Sequence, residues 1–468
     1  MATDRPVEPF VRAVTRVVGG PLGRHAGQAP RWFTPATVAI LFATVGWMVA
    51  VVRQHPCRHL EPGHVPNAFA NQCYSDIPAL FAARGLIDGN TPFFDRGAFP
   101  ALEYPVLTGW FVEINRLITV ALGAPVGPGL DEVQSITATN LFYSVNMVVL
   151  FIFWLITVFA QVHSAPGRGW DVLMLAASPL VVLTGLINWD LFTLALTALG
   201  VMLWARGRPG WAGLLWGLAA AAKFYPLFLM IGLLALCLRS GRMRDFGRAA
   251  GMFAAGWLAP NLPVMILAWE PWTVFWTFNA GRGAELGSMW YLLELGGGEV
   301  PAVRVLSLLL LLAALAGVVA LVLKAPQRPR LAQVCFLVLM AVLLTNRVYS
   351  PQHVLWVLPF LALCRPRWRD WLIFTIGEWL YVMAVWGHLG GYLAPAVEGP
   401  DRLYGAAIVL RLGTQVWLVT QVVRDVLSPE RDLVRATAAG RGYVDDPSGG
   451  VLDGAPDVRL GRKVEAAA

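Results

Sequence analysis

Five short polar motifs interrupt an otherwise apolar chain, and they hold the side chains able to do chemistry. Asp76, in Cys73-Tyr-Ser-Asp-Ile-Pro78, is the candidate catalytic group. A carboxylate at a bilayer surface can act as a general base and take a proton from a hydroxyl. The same residue, with Pro78 in the turn after it, also fits an ordinary helix cap. Glu103-Tyr104-Pro105 and Asn188-Trp-Asp190 supply further polar groups, and each also fits a helix start. An acid at the depth of Asp190 needs a partner, whatever its role. Lys223-Phe-Tyr225-Pro226 puts a cation at a break in an apolar run, where it either snorkels to the interface or meets a phosphate. Arg347-Val-Tyr349-Ser-Pro-Gln352-His353 offers more polar groups than a helix start requires. An Arg there suits a phosphate held through paired hydrogen bonds. Together these give Asp76 as base and Glu103, Tyr104, Asn188, Asp190, Lys223, Tyr225, Arg347, Tyr349, Gln352 and His353 as candidate substrate-binding residues.

The elements that must position these residues are membrane helices. Of 468 residues, 57% are hydrophobic and 14% charged, well below the quarter usual in soluble domains. Long apolar runs recur from Ala36 to Val423, which predicts an all-α polytopic bundle. Most basic residues sit in short loops, where they orient spans and meet anionic lipid, so the net charge of +7 does not argue for nucleic acid. Keeping those loops on one side gives about twelve spans, with both termini cytoplasmic and the five motifs on the other face. Two conditions are needed. Tyr104–Leu122, which contains Glu113, Asn115 and Arg116, must lie in the interface rather than cross. Trp211–Leu238 must go out and back as a hairpin broken at Lys223–Pro226.

The expected organisation is a cytoplasmic leader over 1–34, a membrane-embedded domain over 35–424, and a disordered cytoplasmic tail over 425–468. The tail's Asp445-Asp446 pair reads as solvated charge. Stretches 53–135 and 270–302 are the two large extracytoplasmic loops. Cys57 and Cys73 share the first and are a candidate disulfide there, or else two free thiols. Cys237, Cys335 and Cys364 fall in apolar runs and read as buried. No glycine-rich phosphate loop, zinc-spaced His/Cys cluster or Gly-x-Ser-x-Gly elbow is present.

The order of these motifs resembles the polyprenyl-phosphate-dependent GT-C glycosyltransferases. Asn188-Trp-Asp190, Ala-Ala-Lys223-Phe-Tyr-Pro226 and Tyr349-Ser-Pro-Gln-His-Val-Leu-Trp356 resemble the family-87 branch, which includes bacterial mannosyltransferases. The family more often has Tyr-Pro-Pro where this chain has Tyr-Pro-Val106, and Pro-Gln-Tyr where it has His353. The resemblance implies transfer of a hexose, mannose by default, from a polyprenyl-phosphate donor to an envelope lipid or glycan on the extracytoplasmic face of a bacterial cell membrane. It implies that Asp76 activates the acceptor hydroxyl, that Arg347 or Lys223 holds the departing phosphate, and that the sugar inverts. No cofactor is implied, though a divalent cation stays open. A multi-pass transporter or flippase for lipid-linked sugars is the alternative; that class more often places its site near the midplane between repeats. A scaffold for envelope assembly, in which Asp76 is only a cap, is a third.

Overall fold

The computed structural model describes residues 31–58, 60–63, 66–395, 399–438, 445–459 and 462–463. The leader's arginines at 5, 12, 16 and 24 lie outside these residues. Apart from a two-residue pairing of Val458–Arg459 with Arg462–Lys463, the regular structure is helical. In chain order the principal helices are α1 (Pro35–Arg53), α2 (Asp76–Ala83), α3 (Val106–Ala121), α4 (Glu132–Ser164) and α5 (Asp190–Ala205). They continue with α6 (Pro209–Ala222), α7 (Pro226–Ser240), α8 (Met243–Leu267), α9 (Trp269–Gly281) and α10 (Met289–Leu295). The last are α11 (Val303–Lys324), α12 (Leu331–Thr345), α13 (Val354–Cys364), α14 (Trp368–Leu389) and α15 (Arg402–Leu427).

The chain is a polytopic helical membrane protein. Among the described residues six helices, α1, α4, α8, α11, α14 and α15, are long and apolar enough to cross a bilayer. Several of the others are short apolar helices of 10–17 residues. They are short because polar turns end them. Lys223 adopts an extended backbone (φ −154°, ψ 136°) that stops α6, and Pro226 starts α7 anew. Thr345 ends α12, and a 3-10 turn over Pro351–His353 leads into α13. Such ends leave backbone groups unpaired, so they must be shielded by protein or line a cavity.

All these interruptions fall at one end of the bundle. Thr108 at the start of α3 donates to the Ala222 carbonyl at 2.6 Å. Gly127, beyond the end of α3, donates to the Ile87 carbonyl of the first loop at 3.0 Å. Both ends of α3 are therefore tied to the interrupted side. Cys57, just after α1, is bonded to Cys73, just before α2. Stretch 270–302, read from sequence as a loop, instead holds α9 and α10.

At the opposite end the helices meet described C-terminal residues, and for these the expected disorder gives way to packed contacts. Asp432 pairs with Arg330 at 2.7 Å, Asp445 with Arg328 at 2.9 Å, and Asp457 with Arg239 at 2.5 Å. Trp204 donates its indole N–H to the Gly449 carbonyl at 2.8 Å. Asp445 and Asp446, expected to be solvated, are buried. The three arginines end helices or join them, and each is 2% exposed or less. A buried guanidinium without a partner is costly, and the late carboxylates supply the partners.

Within the bundle, α6 and α8 approach closely. Gly213 and Gly217 lie one turn apart on α6, and a Cβ on either would strike the Ala249 or Phe253 carbonyl of α8. Small residues at this spacing allow backbones in lipid to pack by close van der Waals contact.

Candidate active site

A cavity of about 940 Å³ opens at the interrupted end. Of the residues singled out from sequence, Asp76, Glu103, Tyr104, Asn188, Lys223, Tyr225, Arg347, Gln352 and His353 line it. Asp190 and Tyr349 lie behind its wall.

Asp76 is not the cap of its helix. Ser75 is the cap: its hydroxyl accepts the Ile77 N–H at 3.2 Å. That leaves the Asp76 carboxylate for the cavity, where it accepts from the Tyr74 hydroxyl at 2.8 Å and the Tyr104 hydroxyl at 3.2 Å. The Asp76 backbone N–H is pinned to the Ile187 carbonyl at 2.7 Å, which fixes α2 against the turn before α5. Burial raises the Asp76 pKa above the usual aspartate value. The hydrogen bond from Tyr74, the charge of Lys223 and the bond from Tyr104 oppose that rise, while Asp190 adds to it. A poorly solvated carboxylate of raised basicity suits proton abstraction.

Lys223 stands beside it. Its ammonium pairs with Asp190 at 2.8 Å and lies 5.0 Å from the centre of the Tyr104 ring. Asp190 is 2% exposed and also accepts from the Trp356 indole at 3.3 Å. Asn188 closes the turn, its side-chain oxygen accepting the Asp190 N–H at 3.0 Å. Asp190 thus holds Lys223 rather than reaching the cavity. Glu103 lines the cavity but is tied to Arg84 at 2.8 Å. Tyr225 stacks on Trp356 at 4.6 Å, and the His353 ring lies 4.2 Å from the same indole. Gln352 Oε1 and His353 Nδ1 are buried with no hydrogen-bond partner. Buried polar atoms without a partner are uncommon in native interiors.

A second cationic pole lies at the Arg347 turn. Arg347 donates to the backbone carbonyls of Arg282 and Asn279. Arg304, at the start of α11, donates to the Gly281 carbonyl at 2.7 Å. Arg282, Arg304 and Arg347 all line the cavity, with Glu285, which pairs with Arg282, as the acidic neighbour. Burial lowers the Arg347 pKa, and Arg304 and Arg282 lower it further against the opposing pull of Glu285. The pole carries more positive charge than its acid balances, as an anion site requires. Lys223 is different, since Asp190 already neutralises it.

Tyr349 supports this turn from behind. The Arg411 guanidinium lies between the Tyr349 and Tyr381 rings, 3.6 and 4.0 Å from their centres, and donates to the Tyr349 carbonyl at 2.7 Å. Glu378 completes that buried group, 3.0 Å from Arg411.

Sequence reasoning missed Arg282, Arg304, Trp356 as a wall residue, and the rings of Phe69, Tyr74 and Trp386. Arg282 and Arg304 lacked the Pro-bearing turn that marked Arg347. Nothing local to either residue set it apart from the other loop arginines.

The sequence profile of glycosyltransferase family 87 matches residues 130–351. No curated protein matches the chain. The matched stretch runs from the base of α4 through the Lys223 break to the Arg347 turn and so includes both cationic poles. Residues 130–351 of this membrane protein are thus similar to glycosyltransferase family 87.

Proposed function

We propose that this glycosyltransferase moves a hexose, with mannose as the family default, from a polyprenyl-phosphate donor to a hydroxyl of an envelope lipid or glycan. The observation that carries this is one cavity holding a desolvated carboxylate, Asp76, together with the arginine pole at 282, 304 and 347. Asp76 takes the acceptor proton, and the acceptor oxygen attacks the anomeric carbon. The bond from that carbon to the phosphate oxygen breaks, and its electron pair leaves on polyprenyl phosphate. The arginine pole stabilises that charge. Lys223 orients the sugar between Asp76 and Trp356. Single displacement inverts the anomeric carbon.

Entry of a lipid donor is supported by the wall on the α11 side. Phe224, Phe228, Trp276, Leu308 and Leu311 line the cavity there. Leu308 is also 54% exposed, on the same lipid-facing helix as Val305, Leu309 and Leu312. A polyprenyl chain could lie along this face with its phosphate at Arg304 and Arg347.

The extracytoplasmic setting is supported by charge and by the disulfide. Arg168, Arg206, Arg208, Arg239, Arg328, Arg330, Arg365 and Arg369 gather at the end away from the cavity. The Cys57–Cys73 bond is on the cavity side, where an oxidising compartment would keep it. The described start of α1 and the C-terminal residues share the cytoplasmic end under this orientation.

The test is product stereochemistry. Purified protein in nanodiscs, given a polyprenyl-phosphate β-hexose, should release polyprenyl phosphate and form an α-linked product. A β-linked product would refute single displacement. Movement of the intact donor across a bilayer without release of polyprenyl phosphate would favour a flippase.

A further inference from the structure

Three carbonyls at the Arg347 turn are each held by a donor from elsewhere in the chain. Trp290 donates its indole N–H to the Thr345 carbonyl at 2.9 Å, and the Glu285 N–H donates to the Arg347 carbonyl at 2.9 Å. The third bond crosses from α15, where Arg411 donates to the Tyr349 carbonyl at 2.7 Å. Glu285 and Trp290 follow Arg282 closely in the chain, so the first two bonds join the turn to the segment that carries another arginine of the pole. Between them lies Gly287, with φ +78°, and a Cβ there would strike both the Tyr349 carbonyl and the Tyr381 hydroxyl. The Arg282 segment therefore rests on the same carbonyl that Arg411 holds. Tyr349 is pinned at its other end as well, since Gln415 donates to its hydroxyl at 2.8 Å and also to Glu378.

Arg411 and Glu378 have fully buried side chains, and neither lines the cavity. An ion pair in this setting is a poor route to stability, because an apolar pair of similar volume often serves as well or better. Nor is the group fully satisfied: Arg411 Nη2 and Gln415 Oε1 are buried with no hydrogen-bond partner among the described residues. An ionisable pair retained inside a membrane bundle points to a role in function. A guanidinium offers a rigid fork and two flat faces. Arg411 uses Nε for Glu378, Nη1 for the Tyr349 carbonyl, and its faces for the Tyr349 and Tyr381 rings. A lysine cannot make these contacts together. Both residues lie beyond the stretch 130–351 that the family profile matches.

We propose that Arg411 is a positioning residue for the arginine pole: held by Glu378, it fixes the Tyr349 carbonyl and thereby the spacing of Arg282 and Arg347. This rests on the reading that the pole stabilises the departing phosphate. Attraction of a lipid phosphate to several arginines tolerates small displacements of each. Stabilisation of the charge that builds in the transition state does not. Loss of Arg411 therefore slows turnover more than it weakens donor binding.

The test compares wild type, Arg411→Lys and the double variant Arg411→Met with Glu378→Met, each as the full chain in nanodiscs. Turnover of a polyprenyl-phosphate hexose should fall about 10- to 100-fold in both variants, with the dissociation constant for polyprenyl phosphate within about 3-fold of wild type. The double variant removes both charges together, so its Tm should exceed that of Arg411→Met alone. A gain in Tm without a gain in turnover is a result that a purely structural pair would not give. Amide hydrogen exchange over residues 282–288 should quicken in both variants, because their seat on Tyr349 is loosened. Wild-type turnover in Arg411→Lys or in the folded double variant would overturn the proposal, as would wild-type exchange over 282–288. Arg347→Ala separates this from the functional reading. Wild-type transfer in that variant would remove the phosphate role of the pole, and the exchange measurement would still decide whether Arg411 seats it.

Discussion

At the scale of single residues, the site depends on how two carboxylates are partnered. Asp76 is poorly solvated and receives two tyrosine hydroxyls. Removing the Tyr74 bond removes an interaction that favours the ionised form. Tyr74→Phe should therefore move the acid limb of the pH–kcat/KM profile to higher pH, and a limb that moves down or stays would contradict this role. The sign for stability runs the other way. A carboxyl whose pKa is raised by folding holds its proton more tightly in the folded state, so ionisation weakens the fold as pH rises through that window. Asp76→Asn should accordingly keep or raise the Tm at neutral pH, as expected where function retains a strained charge. Asp190 is the opposite case, a buried acid matched by Lys223. Lys223→Met should destabilise the protein by about 3–5 kcal/mol, because it leaves that carboxylate unpaired. Adding Asp190→Asn should restore much of the loss, and additive losses in a thermal-unfolding cycle would argue against the pairing.

At the scale of elements, the turns at Asn188–Asp190, Lys223–Pro226 and Arg347–His353 were legible in the sequence. Polar residues and Pro interrupt apolar runs there, and basic loops fixed which side they share. The arginines at 282 and 304 were not legible, because nothing local distinguishes them from loop charges. Their role comes from the fold that brings α9, α11 and the Arg347 turn together. Helix α9 had a readable start, since Trp269-Glu-Pro271 places Pro in the first turn. Its aromatic content instead suggested a surface loop. The contact between α6 and α8 depends on absent side chains. Gly217→Val would drive a side chain into the Phe253 carbonyl. It should cost about 1–3 kcal/mol by overpacking, read as a lower Tm in detergent. Because α6 ends at Lys223, the variant should also raise the KM for donor. Wild-type stability in this variant would show that the helices are not held by close backbone packing.

At the scale of the whole molecule, the chain is bracketed by charge. One end gathers the cavity, and the other joins α7, α11, α12 and α13 to the C-terminal residues through Arg239, Arg328 and Arg330. The low hydropathy of those late residues made them read as disordered. Their order comes from distant arginines, which composition cannot reveal. Asp432→Ala should unfold the protein about 3–5 kcal/mol more readily by stranding Arg330, while polyprenyl phosphate binding per folded molecule stays the same. The account as a whole stands on proton abstraction at the cavity. Its most direct test is single-turnover transfer from a polyprenyl-phosphate hexose by wild type and Asp76→Asn, each confirmed folded by thermal unfolding. Loss of a general base predicts a rate about 10²- to 10⁴-fold lower in the variant, with donor still bound. A variant that transfers sugar at the wild-type rate would contradict the account.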